Sequence, residues 1–322
     1  MSLANPWDPP VLRHGFLTDR PLSRAELLCD LRARLADVGW SAERIESLLW
    51  HGGVHLAGRP HDEQTLPDAV APGTQVVAYA FAYEPAPVPL PENAILWDSS
   101  DVLAVNKPAW LTVQATRASH RLSLEARLRE ALHCHALAAV HRLDRGTSGI
   151  VLFARTREGA ARVGRALADG RLERRYLALV APQPPQSRWE VRGFLGRRLH
   201  PTRFRFALYD VPGPGRRESR TRFVRLAARD GATLVCAEPA TGRTHQIRVH
   251  LAHGGTPIVG DVLYGSGLQR GPHGAPLRTQ LHASWLRVWI DPTPGVPPLA
   301  LAAPTPPDFA PAFGSAMALP FP

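Results

Sequence analysis

Apolar residues recur with helical spacing in two stretches near the start of the chain. The first stretch predicts a helix that opens at Ser23, because Glu26 stands three residues later, as in a capping box. Its apolar stripe consists of Leu27, Leu28, Leu31 and Leu35. A second short helix is predicted after Ser41, followed by short strands at 54–56 and 76–79. The chain therefore opens with a small helix-helix-strand module.

From Ile95 onward, short apolar runs alternate with turn-forming residues, which is the pattern of strands in a sheet. The runs predicted as strands are 102–105, 150–154, 176–180, 233–237 and 286–290. Helices are predicted between them at about 122–132 and 158–167. This mixture predicts an α+β fold with a mixed, largely antiparallel sheet and flanking helices.

A proline-rich stretch separates these two patterns. Its prolines are Pro85, Pro87, Pro89 and Pro91. Because proline lacks an amide donor and stiffens the chain, neither a helix nor a central strand is expected there. The predicted organisation is a module at 1–84, a linker at 85–92 and a main domain at 93–303. Proline and alanine dominate 304–322, which is predicted to be a loosely held tail.

The net charge of the chain indicates the class of partner that it binds. The chain has 38 Lys and Arg against 28 Asp and Glu, a net charge of +10 and a pI near 10.6, which favours polyanions such as nucleic acid. Lys107 is the only lysine, and the planar guanidinium of arginine suits phosphates and bases. A GC-rich genome that encodes arginine in place of lysine explains the bias equally well. Either cause leaves the charge available to RNA.

Cysteines and hydropathy limit the class of protein further. Cys29, Cys134 and Cys236 are scattered, so neither a disulfide framework nor a zinc ribbon is predicted, and no metal or other cofactor is expected. No apolar stretch reaches the roughly 20 residues of a membrane span, and the first residues lack the pattern of a secretion signal. We expect a cytoplasmic protein without membrane association and with no evident obligate protein partner.

A polar motif, His141-Arg142-Leu143-Asp144-Arg145-Gly146-Thr147-Ser148-Gly149, stands directly before the apolar run 150–154. The two arginines that flank Asp144 favour its ionised form, since opposite charge lowers a carboxyl pKa. An ionised aspartate beside a rigid strand is a candidate nucleophile or base. The spacing alone favours the alternative of an aspartate that caps a turn through the amides of Thr147 and Ser148.

The motif resembles the signature of the RluA-type pseudouridine synthases, and other segments resemble this family in the same order. They are 95–98, 102–108 ending in Asn-Lys-Pro, 175–180, 242–251, 257–261 with Tyr264-Gly265, and 281–283. The resemblance implies a pseudouridine synthase-like fold for the main domain. The module at 1–84 resembles an S4-like RNA-binding domain, with Gly53-Val54-His55-Leu56 before a turn. A purely structural appendage is the alternative for that module.

The resemblance implies a cofactor-free isomerase that detaches uracil from C1′ of a uridine in RNA, rotates it and rejoins it through C5. Asp144 would be the nucleophile toward the ribose or the base that removes a ribose proton. Tyr176 would stack on the target base, and Arg248 would hold Asp144 ionised and aimed. Arg142 would fill the space that the extruded base leaves in the helix. The other RNA-contacting residues implied are Arg145, Arg175, Arg243 and His245.

Residue patterns alone leave alternatives open. Tyr176 lies in an apolar run where an aromatic is usually core, and Arg248 alternates with apolar neighbours as on the solvent face of a strand. The predicted substrate is ribosomal RNA, with transfer RNA as the runner-up. A non-catalytic RNA-binding protein is one alternative class. A base-releasing glycosidase is another, and it would call for a second acidic residue near the motif.

Overall fold

A computed structural model describes residues 10–198, 205–229, 231–265, 278–291, 293 and 295–309. The chain forms two compact units. The first comprises the residues up to 89 together with 110–137, and the second comprises 90–109 and the chain from 138 onward. The predicted main domain at 93–303 included 110–137, whereas the structure groups that segment with the first unit.

The first unit combines helices with short strands. Its strands are β1 (Val11–Leu17), β2 (Leu22–Ser23), β3 (Val54–Leu56), β4 (Arg59–His61), β5 (Ala69–Val70) and β6 (Gln75–Phe81), and its helices are α1 (Arg24–Asp37), α2 (Ala42–His51) and α3 (Leu124–Ala131). An antiparallel sheet has the order β1-β6-β3-β4, and β2 pairs with β5.

Capping at Ser23 begins α1 as predicted. Ser23 Oγ accepts a hydrogen bond from the Glu26 backbone N–H, and the Glu26 carboxylate accepts one from the Ser23 N–H. Three leucines of the predicted stripe, Leu27, Leu31 and Leu35, are fully buried in the core of this unit. The two helices and two strands predicted for this region are confirmed, and the strands β1, β2, β4 and β5 are additions.

The second unit is built on a large, mostly antiparallel sheet. Its strands are β7 (Ile95–Asp98), β8 (Val102–Lys107), β9 (Ala138–Ala139), β10 (Ser148–Ala154), β11 (Leu172–Val180), β12 (Arg188–Arg198), β13 (Arg205–Tyr209), β14 (Arg217–Arg229), β15 (Ala232–Pro239), β16 (Leu281–Val288) and β17 (Leu299–Ala302), and its helices are α4 (Arg157–Ala168) and α5 (Gln246–His253). The strand order is β13-β12-β14-β15-β11-β16-β10-β8-β7, with β17 beside β16 and β9 beside β10. The predicted α+β class is confirmed, and the strands and helices predicted from Ile95 onward are present. The strand predicted at 286–290 begins earlier and ends at Val288, and α5 is an addition.

Strand β10 lies in the core and fixes the polar motif that precedes it. All of its residues are buried, and it pairs antiparallel with β8 and parallel with β16. Gly149 has a φ of +115°, and a Cβ there would lie 2.2 Å from the carbonyl oxygen of Ala283. Only glycine permits this close approach of β10 to β16. The residues just before β10 are thereby held beside the start of β16.

The chain from Pro304 was predicted to be loose, but its described part is packed. Phe309 is fully buried against β11 and β15, and Asp308 forms an ion pair with the buried Arg278 at 2.7 Å. Positions 310–322 lie outside the described residues. Within the described ranges, no helix has the length and apolar character needed to cross a membrane. The cytoplasmic location stays a prediction.

Candidate active site

A cavity of 620 Å³ opens in the second unit, beside the start of β10. Its wall comes from the loop 141–147, strand β11, the loop 240–245 and the first turn of α5. Six of the eight predicted site residues line it, namely Arg142, Asp144, Tyr176, Arg243, His245 and Arg248. Arg145 and Arg175 are not part of its wall. The fold thus brings most of the predicted site together from separate segments.

Asp144 is held through one of its two carboxylate oxygens. Arg248 Nη1 donates to Asp144 Oδ2 at 2.7 Å. Arg248 Nε and Nη2 donate to the two carboxylate oxygens of Asp261 at 2.7 and 2.8 Å. Asp261 Oδ1 also accepts the backbone N–H groups of Leu263 and Tyr264. Asp261 therefore fixes the direction of the guanidinium, which in turn fixes the carboxylate of Asp144.

The Asp144 carboxyl is ionised at neutral pH. Burial alone would raise its pKa, but the positive charges of a protonated His245 and of Arg248 outweigh burial, so the pKa lies below its usual value. Burial keeps His245 neutral at pH 7, so Arg248 is the effective cause of the lowered pKa at that pH. The carboxylate does not cap its own turn. The Thr147 N–H donates instead to the Asp144 carbonyl oxygen at 3.1 Å.

His245 stands beside the other carboxylate oxygen. Its Nε2 lies 3.8 Å from Asp144 Oδ1, which is beyond hydrogen-bond range. Its Nδ1 lies 2.8 Å from the Tyr264 hydroxyl, which accepts the Phe206 N–H at 3.0 Å. Tyr264 can therefore donate its own proton to Nδ1, an arrangement that assigns the ring proton of His245 to Nε2. Burial holds the pKa of His245 below its usual value despite the nearby Asp144, so the ring is neutral at pH 7.

The side chains of Arg174 and Tyr176 both line the cavity from β11, because residues two apart in a strand lie on the same face. On the neighbouring strand β16, Ser284 is an extra residue where the register shifts between Arg175 and Tyr176. Tyr176 is 8% exposed and lines the cavity, so it is both a buried aromatic and a residue of the site. Burial raises the pKa of its hydroxyl, and a hydrogen bond with Arg174 offsets part of that rise. Arg174 packs closely on Gly242, where a Cβ would lie 3.1 Å from Nη1.

Arg248 lies on α5, so the alternative of a strand's solvent face is wrong. Residues 246–253 are helical although the apolar pattern around Arg248 alternates. Gln246 anchors the start of this helix. Its Oε1 accepts the Arg243 N–H at 3.0 Å and the Thr241 hydroxyl at 2.7 Å, while its Nε2 donates to the backbone of β14. The loop that carries Arg243 is thereby fixed to the sheet.

Two of the predicted RNA-contacting arginines lie away from the cavity. Arg175 forms an ion pair with Glu238 at 2.9 Å and lies 4.6 Å above the ring of Trp285. The carbonyl oxygen of Arg145 accepts a hydrogen bond from Lys107 Nζ at 3.3 Å. Lys107 is fully buried, and burial holds its pKa well below the usual value. Lys107, the only lysine of the chain, thus binds the backbone of the polar motif.

Sequence reasoning gave no role to three residues that the structure places at the site. Asp261 and Tyr264 stood in a family-like segment, and Arg174 was passed over for Arg175. A usable signal existed for Asp261, because an acidic residue that ends an apolar run requires a cationic partner if it is buried. A signal existed for Arg174 as well, because side chains alternate along a strand and Arg174, two residues before Tyr176, lies on the same face.

The arrangement presents one fixed carboxylate to a walled cavity. Asp144 Oδ2 is engaged by Arg248, while Oδ1 makes no hydrogen bond within the part of the chain that the structure describes. Over the same residues, no group of three or more His, Cys, Asp or Glu side chains is placed to hold a metal ion. An ionised carboxylate with one open oxygen can attack an electron-poor carbon or accept a proton.

Comparison with known proteins connects this geometry to a family. A family model described as RNA pseudouridylate synthase matches residues 101–253, which include the polar motif, β11 and α5. A protein of Zymomonas mobilis named as an uncharacterized RNA pseudouridine synthase is 35% identical over 184 residues, which are 56% of this chain and 81% of that protein. The solved structure of human RNA pseudouridylate synthase domain containing 1 is 29% identical with a TM-score of 0.56, and the match covers 72% of this chain and 90% of that one.

Two further relatives carry a substrate in their names. The ribosomal large subunit pseudouridine synthase C of Haemophilus influenzae is 34% identical over 174 residues, which are 54% of this chain and 53% of that protein. The mitochondrial tRNA pseudouridine(32) synthase of Saccharomyces cerevisiae is 26% identical over 223 residues, which are 69% of this chain and 47% of that protein. The chain thus spans about half the length of these two relatives.

Proposed function

Because the chain belongs to the RNA pseudouridine synthase family, of the RluA type, we propose that it isomerises uridine to pseudouridine in a structured RNA and uses Asp144 as the reacting carboxylate. The observation that carries the proposal is the asymmetry of that carboxylate. Oδ2 is bound by Arg248 at 2.7 Å, and Oδ1 is left open at the cavity. Such a group is held ionised and aimed, which is what a nucleophile or base requires.

The proposed reaction breaks the N1–C1′ bond of uridine and forms a C5–C1′ bond. C5 loses a proton and N1 gains one, so the atoms and electrons balance without an oxidant or a hydrolytic water. In one route Asp144 Oδ1 attacks C1′ and uracil leaves as an anion, while in the other Asp144 removes a ribose proton. Both routes require the ionised carboxylate that Arg248 maintains.

Three side chains at the cavity handle the target nucleotide in this proposal. Tyr176 stacks on the base, and its raised pKa keeps the hydroxyl protonated at neutral pH and able to hydrogen-bond uracil as it turns. The Nε2–H of His245 lies too far from Asp144 for a hydrogen bond, so it donates to the nucleotide. Arg142, exposed at the cavity, fills the space left in the RNA once the uridine has swung out.

Ribosomal RNA is the proposed substrate. The Haemophilus influenzae relative, named for ribosomal RNA, is 34% identical, against 26% for the yeast relative named for transfer RNA. Transfer RNA is the second candidate, because the yeast relative matches more of this chain, 69% against 54%. A protein that only binds RNA would have no use for the buried Arg248 and Asp261 pair behind an open carboxylate oxygen.

Mapping of pseudouridine in total RNA tests the proposal. RNA from cells with and without the gene is compared, and the deletion strain is complemented with the wild type, with Asp144→Asn or with Asp210→Asn. Asp210 is an exposed loop residue of the same unit and serves as the control. We expect one or a few pseudouridines to vanish on deletion and to return with the wild type and Asp210→Asn only. A deletion that removes no pseudouridine contradicts the proposed activity.

A further inference from the structure

Thr147 carries a hydroxyl group that the folded chain leaves unused. Its side chain is 2% exposed, and Oγ1 has no hydrogen-bond partner among the residues that the structure describes. The residue nevertheless forms part of the cavity wall, three positions after Asp144. A buried hydroxyl without a partner costs about 1–3 kcal/mol, because it loses its bonds to water and gains none. An unused hydroxyl in a cavity wall therefore calls for a partner that enters the cavity.

The next residue along the chain shows that a hydroxyl in this loop can be satisfied. Ser148 is also fully buried, and its Oγ lies 2.8 Å from Nδ1 of His282 on β16. Its hydroxyl therefore has a structural partner within the sheet. Thr147 differs only in the direction of its side chain, because successive residues entering a strand point to opposite sides. Ser148 points to the sheet interior, whereas Thr147 belongs to the cavity wall.

Backbone contacts hold Thr147 in this position. Its N–H donates to the Asp144 carbonyl oxygen at 3.1 Å, so the two residues belong to one rigid turn. The turn continues directly into β10, whose residues are all buried, so its C-terminal end is anchored in the core. The backbone of Thr147 is therefore fixed relative to that of Asp144, while rotation about the Cα–Cβ bond can turn its hydroxyl toward a group that enters the cavity.

We propose that Thr147 is a substrate-binding residue whose hydroxyl forms a hydrogen bond with the target uridine. The inference rests on the proposed function, since it assigns a further contact within the same cavity. A threonine hydroxyl can donate to a uracil carbonyl oxygen or pair with the ribose 2′-hydroxyl, and both groups lie close to the C1′ that Asp144 must reach. The bond forms only when the cavity is occupied, so it contributes to binding of the correct nucleotide and not to folding.

Two substitutions separate a binding role from a packing role. Thr147→Val keeps the shape and removes the hydroxyl, and Thr147→Ser keeps the hydroxyl and removes a methyl group. We expect Thr147→Val to lower kcat/KM at least tenfold and Thr147→Ser to stay within about threefold of the wild type. We also expect the Tm of Thr147→Val to equal or exceed that of the wild type, because the folded protein loses no bond. Ser148→Ala is the matched control and should lower the Tm, since it breaks the bond to His282.

The assay uses total RNA from the deletion strain and follows pseudouridine at the site that depends on the gene. If Thr147→Val retains the kcat/KM of the wild type, the inference is wrong and the proposed function stands. If Thr147→Val loses activity together with a lowered Tm, the hydroxyl has a structural role and the inference is also wrong. If the wild type forms no pseudouridine, it is the proposed function that fails.

A synthetic RNA that carries the mapped uridine, or 2′-deoxyuridine in its place, identifies the bonded group. If Thr147→Val no longer lowers kcat/KM on the deoxy substrate, the ribose 2′-hydroxyl is the hydrogen-bond partner. If it lowers kcat/KM equally on both substrates, the partner is on the base. Either result supports the inference, and a Thr147→Val enzyme that equals the wild type on both substrates overturns it.

Discussion

The two compact units differ sharply in charge. The second unit holds 27 of the 38 basic residues and 15 of the 28 acidic ones, whereas the first holds 11 basic and 13 acidic residues. All six cavity-lining residues predicted from the sequence lie in the second unit. The excess of positive charge therefore accompanies the candidate chemistry, and the first unit has a small negative net charge.

This difference bears on the S4-like resemblance of the first unit. Binding to an RNA backbone depends on cationic side chains that are available to phosphates. Several arginines of the first unit are already paired with acids of the same unit, as in Arg32 with Glu46 and Arg121 with Asp62. The net charge thus favours a purely structural role for the first unit. It favours RNA binding by the second unit.

The largest expected effect comes from the buried ion pair of the second unit. Asp261→Asn removes the carboxylate that holds Arg248, and both side chains are nearly inaccessible to solvent. Removing one partner of a buried ion pair destabilises a protein by about 3–5 kcal/mol. Arg248 keeps Asp144 as its counter-charge but loses the carboxylate that fixes its direction, so it no longer aims Asp144. We expect pseudouridine formation to fall at least about 100-fold and the free energy of unfolding to fall by several kcal/mol, measured by single-turnover kinetics and urea unfolding.

Asp30→Asn is the counterpart in the first unit. Asp30 pairs with Arg34 one turn apart on α1, and both side chains are partly exposed. Such pairs contribute about 0.3–0.5 kcal/mol, so activity should not change. Equal losses from the two variants would contradict the contrast between the units.

Acid should destabilise the second unit next most strongly. Burial lowers the pKa of His141 to about 3 and of His250 and His282 to about 4, so these rings are neutral when folded. Because unfolded histidine binds a proton near pH 6.5, their contribution to stability is present above that pH and is lost as pH falls from 6.5 toward 4. We expect roughly 1–2 kcal/mol of lost stability per histidine at pH 5, measured as the urea midpoint against pH.

His282→Gln tests the origin of that acid sensitivity. The variant removes one of the buried histidine rings with a lowered pKa, so the dependence of the unfolding free energy on pH should become shallower between pH 6.5 and 5. An unchanged slope in this variant would show that other groups cause the acid sensitivity. The comparison uses the slope and not the absolute stability, because the substitution also breaks the bond to Ser148.

The smallest expected effect concerns salt. Arg142→Gln and Arg243→Gln each remove a charge at the cavity, so the slope of log affinity for RNA against log salt should become shallower by about 0.7–0.9. Arg13→Gln and Arg59→Gln are the controls, because both arginines are exposed in the first unit. We expect the controls to leave the slope unchanged. A shallower slope in the controls would assign RNA contact to the first unit as well.

The fold could be predicted where residue patterns follow the period of their element. The capping box at Ser23 and the continuous apolar runs at β8 and β10 each specify a local structure. Strands β12 and β14 were not predicted, because arginines at many of their positions interrupt the apolar alternation. The short strand β13 was not predicted either. The packing of Phe309 depends on contacts with β11 and β15, which a proline-rich sequence does not reveal.

The site could be predicted in its main residues but not in its supports. Asp144 and Arg248 meet as the resemblance implied, at 2.7 Å. Arg174 could have been chosen over Arg175 from the alternation of side chains along β11, because it shares the face of Tyr176. The partners of Asp261 depend instead on tertiary contacts with α5, which have no local signature. The lack of a partner for the Thr147 hydroxyl likewise depends on how the described residues pack around it, which the local sequence does not specify.

A rate measurement on purified protein tests the central claim most directly. Wild type, Asp144→Asn and Asp210→Asn are each incubated with total RNA from the deletion strain, and pseudouridine at the gene-dependent site is followed over time. The account predicts equal rates for the wild type and Asp210→Asn and no pseudouridine with Asp144→Asn, even though that variant should still bind the RNA. Pseudouridine formation by Asp144→Asn at the rate of the wild type would contradict the account.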